Sequence, residues 1–370
     1  MARLTTTFIF RILLTGFAGW LAGCTPPADT PATRESTQSL SEQPVIAASD
    51  PRITIMGRYQ TLPEGGVRLG YAGVTLRFNT TASQLYLQAQ STGSNYLEIR
   101  IDDQPPTLVE VTATETDIRI EPGPGGQLRE VSVMHRGETW HGLVSLTGIV
   151  LADGELLAPP PLPTRRLMIL GDSVTCGTAV DRNPECKEDR RWWNLTHSYG
   201  MLLGKALDAQ VHLVCYGGRG LVRSWDGRTD ELNLPDFFEL AVADAETAPG
   251  WDHHRYQPDL IISAIGTNDF TQGVPDQENY IATYTRLVER LVSVHPEARV
   301  ALTEGAILHS EQKDTLQAWL QEVVKTSGGR ASFIPSVHYP GDDCDAHPNR
   351  EQHAAMAADL EAEIRQLMGW

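Results

Sequence analysis

The chain has few basic residues. It carries 30 Lys and Arg against 47 Asp and Glu, which gives a formal net charge of −17 over 370 residues. Phosphate-rich partners require positive charge on the protein, so we exclude nucleic acid and anionic lipid as its main partners. The hydrophobic content of 41% and charged content of 21% are typical of a soluble globular protein. An acidic protein of this kind is better suited to a neutral substrate.

Long hydrophobic runs are also scarce. The apolar stretch from Ile12 to Ala22 follows Arg3 and Arg11 and is too short for a permanent membrane-spanning helix. It ends in "LAGC", which is similar to a bacterial lipobox. The similarity implies that residues 1–24 are a lipoprotein signal peptide and that Cys24 is lipidated; an ordinary secretory peptide is the alternative. Both interpretations predict export.

If Cys24 is lipidated, the lipid anchor is the only membrane contact that we expect. By resemblance, Thr25 directly after this cysteine favours the outer membrane, on its periplasmic or cell-surface face. The chain holds only five cysteines. The other four are Cys176, Cys186, Cys215 and Cys344.

An even number of cysteines in an exported protein suggests two disulfides, for which three pairings exist. We expect Cys176–Cys186, which would close a short loop, and Cys215–Cys344. Four free thiols are the alternative.

The composition divides the chain into segments. Residues 25–50 are rich in Pro, Ser, Thr and Ala and predict a flexible linker, because they offer too few large apolar groups to bury. Residues 51–157 alternate apolar and polar positions between turn signals, which indicates an antiparallel β-sandwich domain. Residues 158–166 contain consecutive prolines and predict a stiff linker.

Residues 167–370 show an α/β rhythm without internal repeats. Strand patterns alternate with helical patterns, which predicts a doubly wound parallel sheet with helices on both faces. The five predicted strands are "RLMILG", "AQVHLVCYGG", "PDLIISAIG", "ARVALTEGA" and "ASFIPSV". Such sheets place their chemistry at the carboxyl ends of the strands.

Four chemically useful motifs stand at those strand ends. They are "GDS" with Ser173, "YGGRG" with Gly218, "GTND" with Asn268, and "DDCDAHPN" with His347. A hydroxyl, backbone amides on a glycine loop, a side-chain amide and an imidazole are the groups that acyl transfer requires. Together they predict a nucleophile, an oxyanion hole and a general base.

In this order the motifs resemble the sequence blocks of SGNH (GDSL-type) hydrolases. The sandwich, "GDSVTCG", "GRG" and "CDAHP" further resemble family two of the carbohydrate esterases. The resemblance implies a jelly-roll-like first domain and a serine esterase that removes O-acetyl groups from polysaccharides such as xylan or mannan. It makes Ser173 the nucleophile and His347 the base, and it places the Ser173 amide, the Gly218 amide and the Asn268 side chain in the oxyanion hole. No cofactor or metal is implied, and we expect a monomer.

One position departs from the family pattern. The wider superfamily places an Asp three residues before its histidine, where this chain has Cys344, and Asp345 stands two residues before His347. Asp345 is therefore a candidate third member of a triad, ahead of Asp342 and Asp343. We favour a Ser–His dyad with a backbone carbonyl on the imidazole, because a one-residue shift in a loop usually turns a side chain away from its target.

Two other functions compete with acetyl esterase. A lipase or thioesterase of the same superfamily would need an apolar groove, whereas the loops after the first two strands are polar and aromatic. A non-catalytic carbohydrate-binding lipoprotein would not need the intact set of four motifs. The aromatic residues Trp192, Trp193 and Trp225 are candidates either for the core or, for at least one of them, for stacking on a sugar.

Overall fold

The computed structural model describes residues 43–183, 185–244 and 248–370. All of them fall within one compact unit, Leu40–Trp370. The predicted signal peptide, Cys24 and most of the predicted linker 25–50 lie outside the described residues. Within the described ranges, no helix combines the length and the apolar character needed to cross a bilayer.

In the described part of the N-terminal region, twelve short strands build two antiparallel sheets. They are β1 (Val45–Ala47), β2 (Ile53–Met56), β3 (Tyr59–Thr61), β4 (Val67–Leu69), β5 (Thr75–Thr80), β6 (Leu85–Ser91), β7 (Asn95–Ile101), β8 (Thr107–Val111), β9 (Thr116–Ile120), β10 (Arg129–His135), β11 (Val144–Leu151) and β12 (Leu156–Leu157). One sheet has the order β3-β4-β11-β6-β9, with β1 also on β11. The other has the order β12-β5-β10-β7-β8, with β2 also on β5.

The period-two pattern explains these sheets. In β6 the side chains of Leu85, Leu87 and Ala89 are buried, and the residues between them are at least partly exposed, as expected for a strand with one face on the core. The prediction of an antiparallel N-terminal region is confirmed. The segment predicted as a linker contributes β1, because its apolar residues pair with β11 and Ile46 lies opposite Ile149.

The C-terminal region is an α/β unit. Its strands are β13 (Arg165–Gly171), β14 (Ala209–Cys215), β15 (Leu260–Ala264), β16 (Arg299–Thr303) and β17 (Ala331–Phe333). Its helices are α1 (Tyr199–Ala206), α2 (Leu234–Phe237), α3 (Gln277–Val294), α4 (Ser310–Thr326) and α5 (Arg350–Met368). Over the described residues of this region the five strands are all parallel, in the order β14-β13-β15-β16-β17.

This order confirms the predicted parallel sheet and its five strands. From β13 the chain first adds β14 on one side of the sheet and then returns to add β15 on the other side of β13. The switch point of the topology therefore lies between the neighbouring strands β13 and β15. Helix α1 packs with α5, and α3 packs with α4. Ligands bind such sheets outside the carboxyl ends of the strands at the switch point, which is where β13 delivers Ser173.

The two regions share a continuous core. The Tyr71 hydroxyl of the sandwich donates to the Phe237 carbonyl of α2 at 2.5 Å. The guanidinium of Arg58 is buried between the rings of Phe238 and Trp251, at 5.0 and 5.3 Å from their centroids. The sandwich is therefore packed against the α/β unit by desolvated side chains.

The predicted disulfide pairing is wrong. The structure joins Cys176 to Cys215, with a Cα–Cα distance of 5.6 Å, and Cys186 to Cys344, at 5.1 Å. The reason is the sheet order, since β13 and β14 are adjacent and Gly171 at the end of β13 lies opposite Cys215. The turn after β13 therefore carries Cys176 over the end of β14 instead of towards the next cysteine along the chain.

Candidate active site

Ser173 lies on a tight turn at the carboxyl end of β13. The Val174 amide donates to Asp172 Oδ1 at 3.1 Å, and the Cys176 amide donates to the Asp172 carbonyl at 3.0 Å. Gly171 is required at the strand end, because a Cβ there would lie 2.0 Å from the Thr175 hydroxyl. The turn leaves the Ser173 side chain half-buried at the edge of the sheet.

His347 reaches Ser173 from the loop between β17 and α5. Its Nε2 lies 2.8 Å from Ser173 Oγ, although the two residues are 174 positions apart in the chain. The imidazole is about a quarter exposed, so it contacts both the serine and the solvent. This geometry lets the serine hydroxyl donate to a neutral imidazole, as a general base requires.

The expectation of a Ser–His dyad is contradicted by the position of Asp345. Its Oδ1 lies 2.5 Å from His347 Nδ1. The same oxygen accepts the His347 backbone amide at 2.9 Å. In this turn the Asp345 side chain accepts the amide two residues further on, which places the carboxylate beside the His347 ring. The turn thereby compensates for the one-residue shift of Asp345 from the position of the superfamily's Asp. Asp342 and Asp343 do not occupy this place.

The hydrogen bonds also favour an ionised acid. Partial burial raises the pKa of Asp345. Its hydrogen bond with the His347 ring, the positive charge of that ring when it is protonated, and the backbone hydrogen bond together outweigh burial, so the net pKa lies below the usual value. The structure thus brings Ser173, His347 and Asp345 into one hydrogen-bonded chain, the arrangement of a catalytic triad.

Arg182 holds the loop that carries His347 and Asp345. Its side chain is only 6% exposed, and one terminal nitrogen donates to the carbonyls of Asp345 (3.3 Å) and His347. The other terminal nitrogen pairs with Asp342 at 3.2 Å. Gly341 is needed at the start of this loop, because at its φ of +78° a Cβ would lie 2.4 Å from the His347 carbonyl oxygen. Sequence reasoning missed Arg182, which stands in no motif.

Replacing Arg182 with methionine is expected to lower kcat by roughly ten- to a hundredfold with little change in KM, because the triad loses alignment while the substrate site stays intact. Steady-state kinetics on a chromogenic acetyl ester measures both constants. Arg350→Met is the matched control, since Arg350 forms an exposed ion pair with Asp181, and such pairs contribute little. Equal kinetics in the two variants would contradict the role given to Arg182.

The three predicted oxyanion donors lie on neighbouring strand ends. Within the described residues, the backbone amides of Ser173 and Gly218 have no protein acceptor. Asn268 is buried, and its Nδ2 donates to the Arg219 carbonyl at 2.9 Å and lies 3.5 Å from Asp172 Oδ2. The 3.5 Å contact is a weak hydrogen bond, so the predicted role of Asn268 assigns that amide hydrogen to the substrate oxygen. Burial raises the pKa of Asp172 to about 6.

Asp269, in the same "GTND" motif, has a role that sequence reasoning did not assign. Its carboxylate accepts the backbone amides of Leu221 and Val222, both at 2.8 Å, and of Arg223 at 3.2 Å. Burial raises the pKa of Asp269 to about 6, although these amides oppose that shift. The side chain therefore ties down the loop that follows Gly218.

The three candidate tryptophans differ in solvent exposure. Trp192 and Trp193 are buried, and Trp193 donates its ring N–H to Thr178. Trp225 is 59% exposed and lies against Gly218. Trp140 of the sandwich, which the sequence did not single out, is 44% exposed. Among the residues that the structure describes, Trp225 and Trp140 are therefore the two exposed tryptophans.

Known proteins agree with this architecture. The family model described as "Carbohydrate esterase 2 N-terminal" matches residues 55–161, and "GDSL-like Lipase/Acylhydrolase family" matches residues 169–360. A protein of Cellvibrio japonicus named "Acetylxylan esterase / glucomannan deacetylase" is 46% identical over 98% of this chain and 99% of its own.

Solved structures give the same result. The structure of a family two carbohydrate esterase from Cellvibrio japonicus has a TM-score of 0.86 and 47% identity, and the match covers 89% of this chain and 99% of that one. A family two carbohydrate esterase from Clostridium thermocellum, solved in complex with cellohexaose, has a TM-score of 0.79 at 23% identity, covering 86% and 99%, and shows the same fold. The resemblance identified in the sequence is thereby confirmed: the chain belongs to family two of the carbohydrate esterases.

Proposed function

We propose that this protein is a serine esterase that removes O-acetyl groups from carbohydrate through an acetyl-enzyme intermediate. The observation that carries the proposal is the hydrogen-bonded chain from Ser173 through His347 to Asp345. The relative named acetylxylan esterase / glucomannan deacetylase supports xylan and glucomannan as the polymers.

In the first half-reaction Ser173 Oγ attacks the acetyl carbonyl carbon while His347 Nε2 takes the serine proton. The negative charge that develops on the carbonyl oxygen is stabilised by the amides of Ser173 and Gly218 and by Asn268 Nδ2. Asp345 keeps the Nδ1 proton in place and stabilises the imidazolium. The intermediate then collapses, the bond from carbon to the sugar oxygen breaks, and His347 returns its proton to that oxygen.

In the second half-reaction water attacks the acetyl-enzyme. His347 Nε2 now takes a proton from the water, and the same donors stabilise the second tetrahedral intermediate. Breakage of the bond from carbon to Ser173 Oγ releases acetate, and the serine recovers its proton from the imidazolium. The reaction balances with water as the only co-substrate.

A cleft beside the oxyanion loop fits a polar polymer. It has a volume of about 790 Å³, and Tyr216 and Arg219, the residues on either side of the two glycines, line it. The sandwich contributes Trp140 to the same cleft. Its lining also includes the acidic residues Asp230, Glu231 and Asp236. Aromatic rings among hydrogen-bonding side chains suit sugars better than long acyl chains.

Acetate release from acetylated xylan, glucomannan, pectin and peptidoglycan, together with hydrolysis of p-nitrophenyl acetate and octanoate, tests the proposal. We expect acetate from xylan or glucomannan, and at least about a hundredfold higher kcat/KM for the acetyl than for the octanoyl ester. Preference for octanoate would favour a lipase instead. No hydrolysis of any ester would favour a carbohydrate-binding lipoprotein.

We further propose that the sandwich is jelly-roll-like, that the protein acts as a monomer, and that Cys24 anchors it to a bacterial membrane after export. The support for the anchor is the "LAGC" sequence. Replacing Cys24 with alanine is the direct check on it, read as the loss of membrane association in a cell fraction.

A further inference from the structure

Glu138 is a buried acid that belongs to the sandwich but contacts the catalytic unit. It follows β10 and precedes a single 3₁₀ turn, Thr139–His141. Glu138 has no exposed surface. Its Oε1 accepts the backbone amide of Gly217 at 2.8 Å, across 79 residues of chain. Gly217 directly precedes Gly218, whose amide is a proposed oxyanion donor.

The glycine loop is confined from two sides. A Cβ on Gly217 would lie 2.9 Å from Glu138 Oε1, and a Cβ on Gly218 would lie 2.8 Å from Trp225 Cδ1. Gly218 also has a φ of +76°, a conformation that favours glycine. Glu138 therefore packs directly against the loop, and its hydrogen bond holds the peptide plane that precedes the one carrying the Gly218 amide.

Glu138 is itself rigidly held. Its backbone amide donates to His141 Nδ1 at 3.1 Å, and its Oε2 accepts the Trp140 amide at 3.2 Å, which closes a capping box around the turn. Thr139 Oγ1 donates to the Cys215 carbonyl at the end of β14, at 2.6 Å. The turn is thus docked on the strand that leads into the glycine loop.

We propose that Glu138 is a positioning residue for the oxyanion hole: by accepting the Gly217 amide it turns the Gly218 amide towards Ser173. The inference rests on the proposed function, because an oxyanion hole matters only if the protein transfers an acyl group. The inference also assigns the sandwich a role in catalysis, in addition to any role in carbohydrate binding.

The charge of Glu138 is consistent with this role. Burial raises the pKa of Glu138 to about 8, and the Trp140 and Gly217 amides only partly oppose that shift. A raised pKa reduces the negative charge that the side chain places beside a developing oxyanion, while both oxygens still accept backbone amides. Glutamine keeps one acceptor oxygen, which can take the Gly217 amide, whereas leucine keeps the volume and removes both oxygens.

The test compares Glu138→Leu with Glu138→Gln in the full chain. The measurements are kcat and KM for p-nitrophenyl acetate, Ki for methylboronic acid, and the melting temperature. A boronic acid forms a tetrahedral adduct with the serine and places an oxygen in the oxyanion hole, so Ki reports the hole directly. Glu138→Leu is expected to lose about ten- to a hundredfold in kcat, a fraction of what loss of a whole oxyanion donor costs.

Ki for methylboronic acid should weaken in Glu138→Leu by the same factor as kcat falls, with KM within about twofold of wild type. Glu138→Gln should stay within about threefold of wild type in all three constants, because the Gly217 acceptor is retained. If Glu138→Leu does not fold, Glu138→Asp replaces it, since the shorter side chain withdraws the acceptor while keeping the acid.

Two results would overturn the inference. One is a folded Glu138→Leu or Glu138→Asp with wild-type kcat and Ki. The other is a loss of kcat without a parallel loss of boronic acid affinity, which would indicate a structural role only. The wild-type protein in the same assay separates these from failure of the proposed function, which would show as no acetyl ester hydrolysis before any substitution.

Discussion

Replacing Ser173 with alanine is expected to lower turnover of an acetyl ester by at least about a thousandfold, as deletion of a covalent nucleophile does. Ser173 Oγ contacts His347 Nε2 and lies on a turn that is closed by backbone hydrogen bonds. The turn does not depend on the hydroxyl, so the variant should fold normally. Circular dichroism and the melting temperature check the fold, and acetate release measures turnover.

Ser293→Ala is a suitable control for this experiment. Ser293 is exposed on α3, and its hydroxyl donates to the Arg290 carbonyl of the same helix. Its activity should match that of the wild type. Near-wild-type activity in a folded Ser173→Ala protein would show that Ser173 is not the nucleophile and would contradict the proposed mechanism.

Replacing Asp345 with alanine is expected to cost hundreds-fold or more in kcat, in line with the loss of a triad acid. The carboxylate lies 2.5 Å from His347 Nδ1. Without it the imidazole loses the partner that fixes its tautomer and stabilises its protonated form. In the proposed mechanism Asp345 contacts His347 and not the substrate, so KM should change far less than kcat.

Asp343→Ala provides the matched control, because Asp343 is an exposed carboxylate of the same loop. Its kcat should remain within about twofold of wild type, as is usual for surface substitutions. The double variant Asp345→Ala with His347→Ala should be about as inactive as His347→Ala alone, because residues of a triad act as a unit. A loss below tenfold in Asp345→Ala would restore the dyad.

The parallel sheet and the order of its active-site motifs could be predicted because both can be read from short contiguous stretches of sequence. Each strand is a short apolar run, and each motif follows its strand directly, so parallel topology alone brings Ser173, Gly218 and Asn268 to one edge. His347 could be added because the last strand ends at the same edge. Nothing in this reasoning required knowledge of loop conformation.

The errors arose where loop conformation or strand order decides the outcome. The position of Asp345 depends on a turn in which its side chain accepts the His347 amide, and spacing alone does not reveal such a turn. The cysteine pairing depends on which strands are neighbours, and Cys176 meets Cys215 because β13 and β14 are adjacent. The expectation of a dyad rests on the tendency of a shifted side chain to turn away from its target, and that of Cys176–Cys186 on the short loop that this bridge would close; neither reason includes the contact that decides the outcome.

Arg182 and Glu138 could not have been found from the sequence. Each acts on backbone groups far along the chain: Arg182 on the carbonyls of residues 345 and 347, and Glu138 on the amide of residue 217. Backbone groups carry no residue identity, so such contacts leave no motif. Only the assembled fold shows why an arginine and a glutamate stand at these positions.

The separation of Ser173 and His347 by 174 residues has a consequence for how activity depends on folding. Strands β14, β15, β16 and β17 all lie between the two residues in the chain. The nucleophile and the base therefore meet only when the parallel sheet has formed. A partly folded chain holds an unactivated serine, so hydrolytic power belongs to the folded α/β unit as a whole and to no single segment of it.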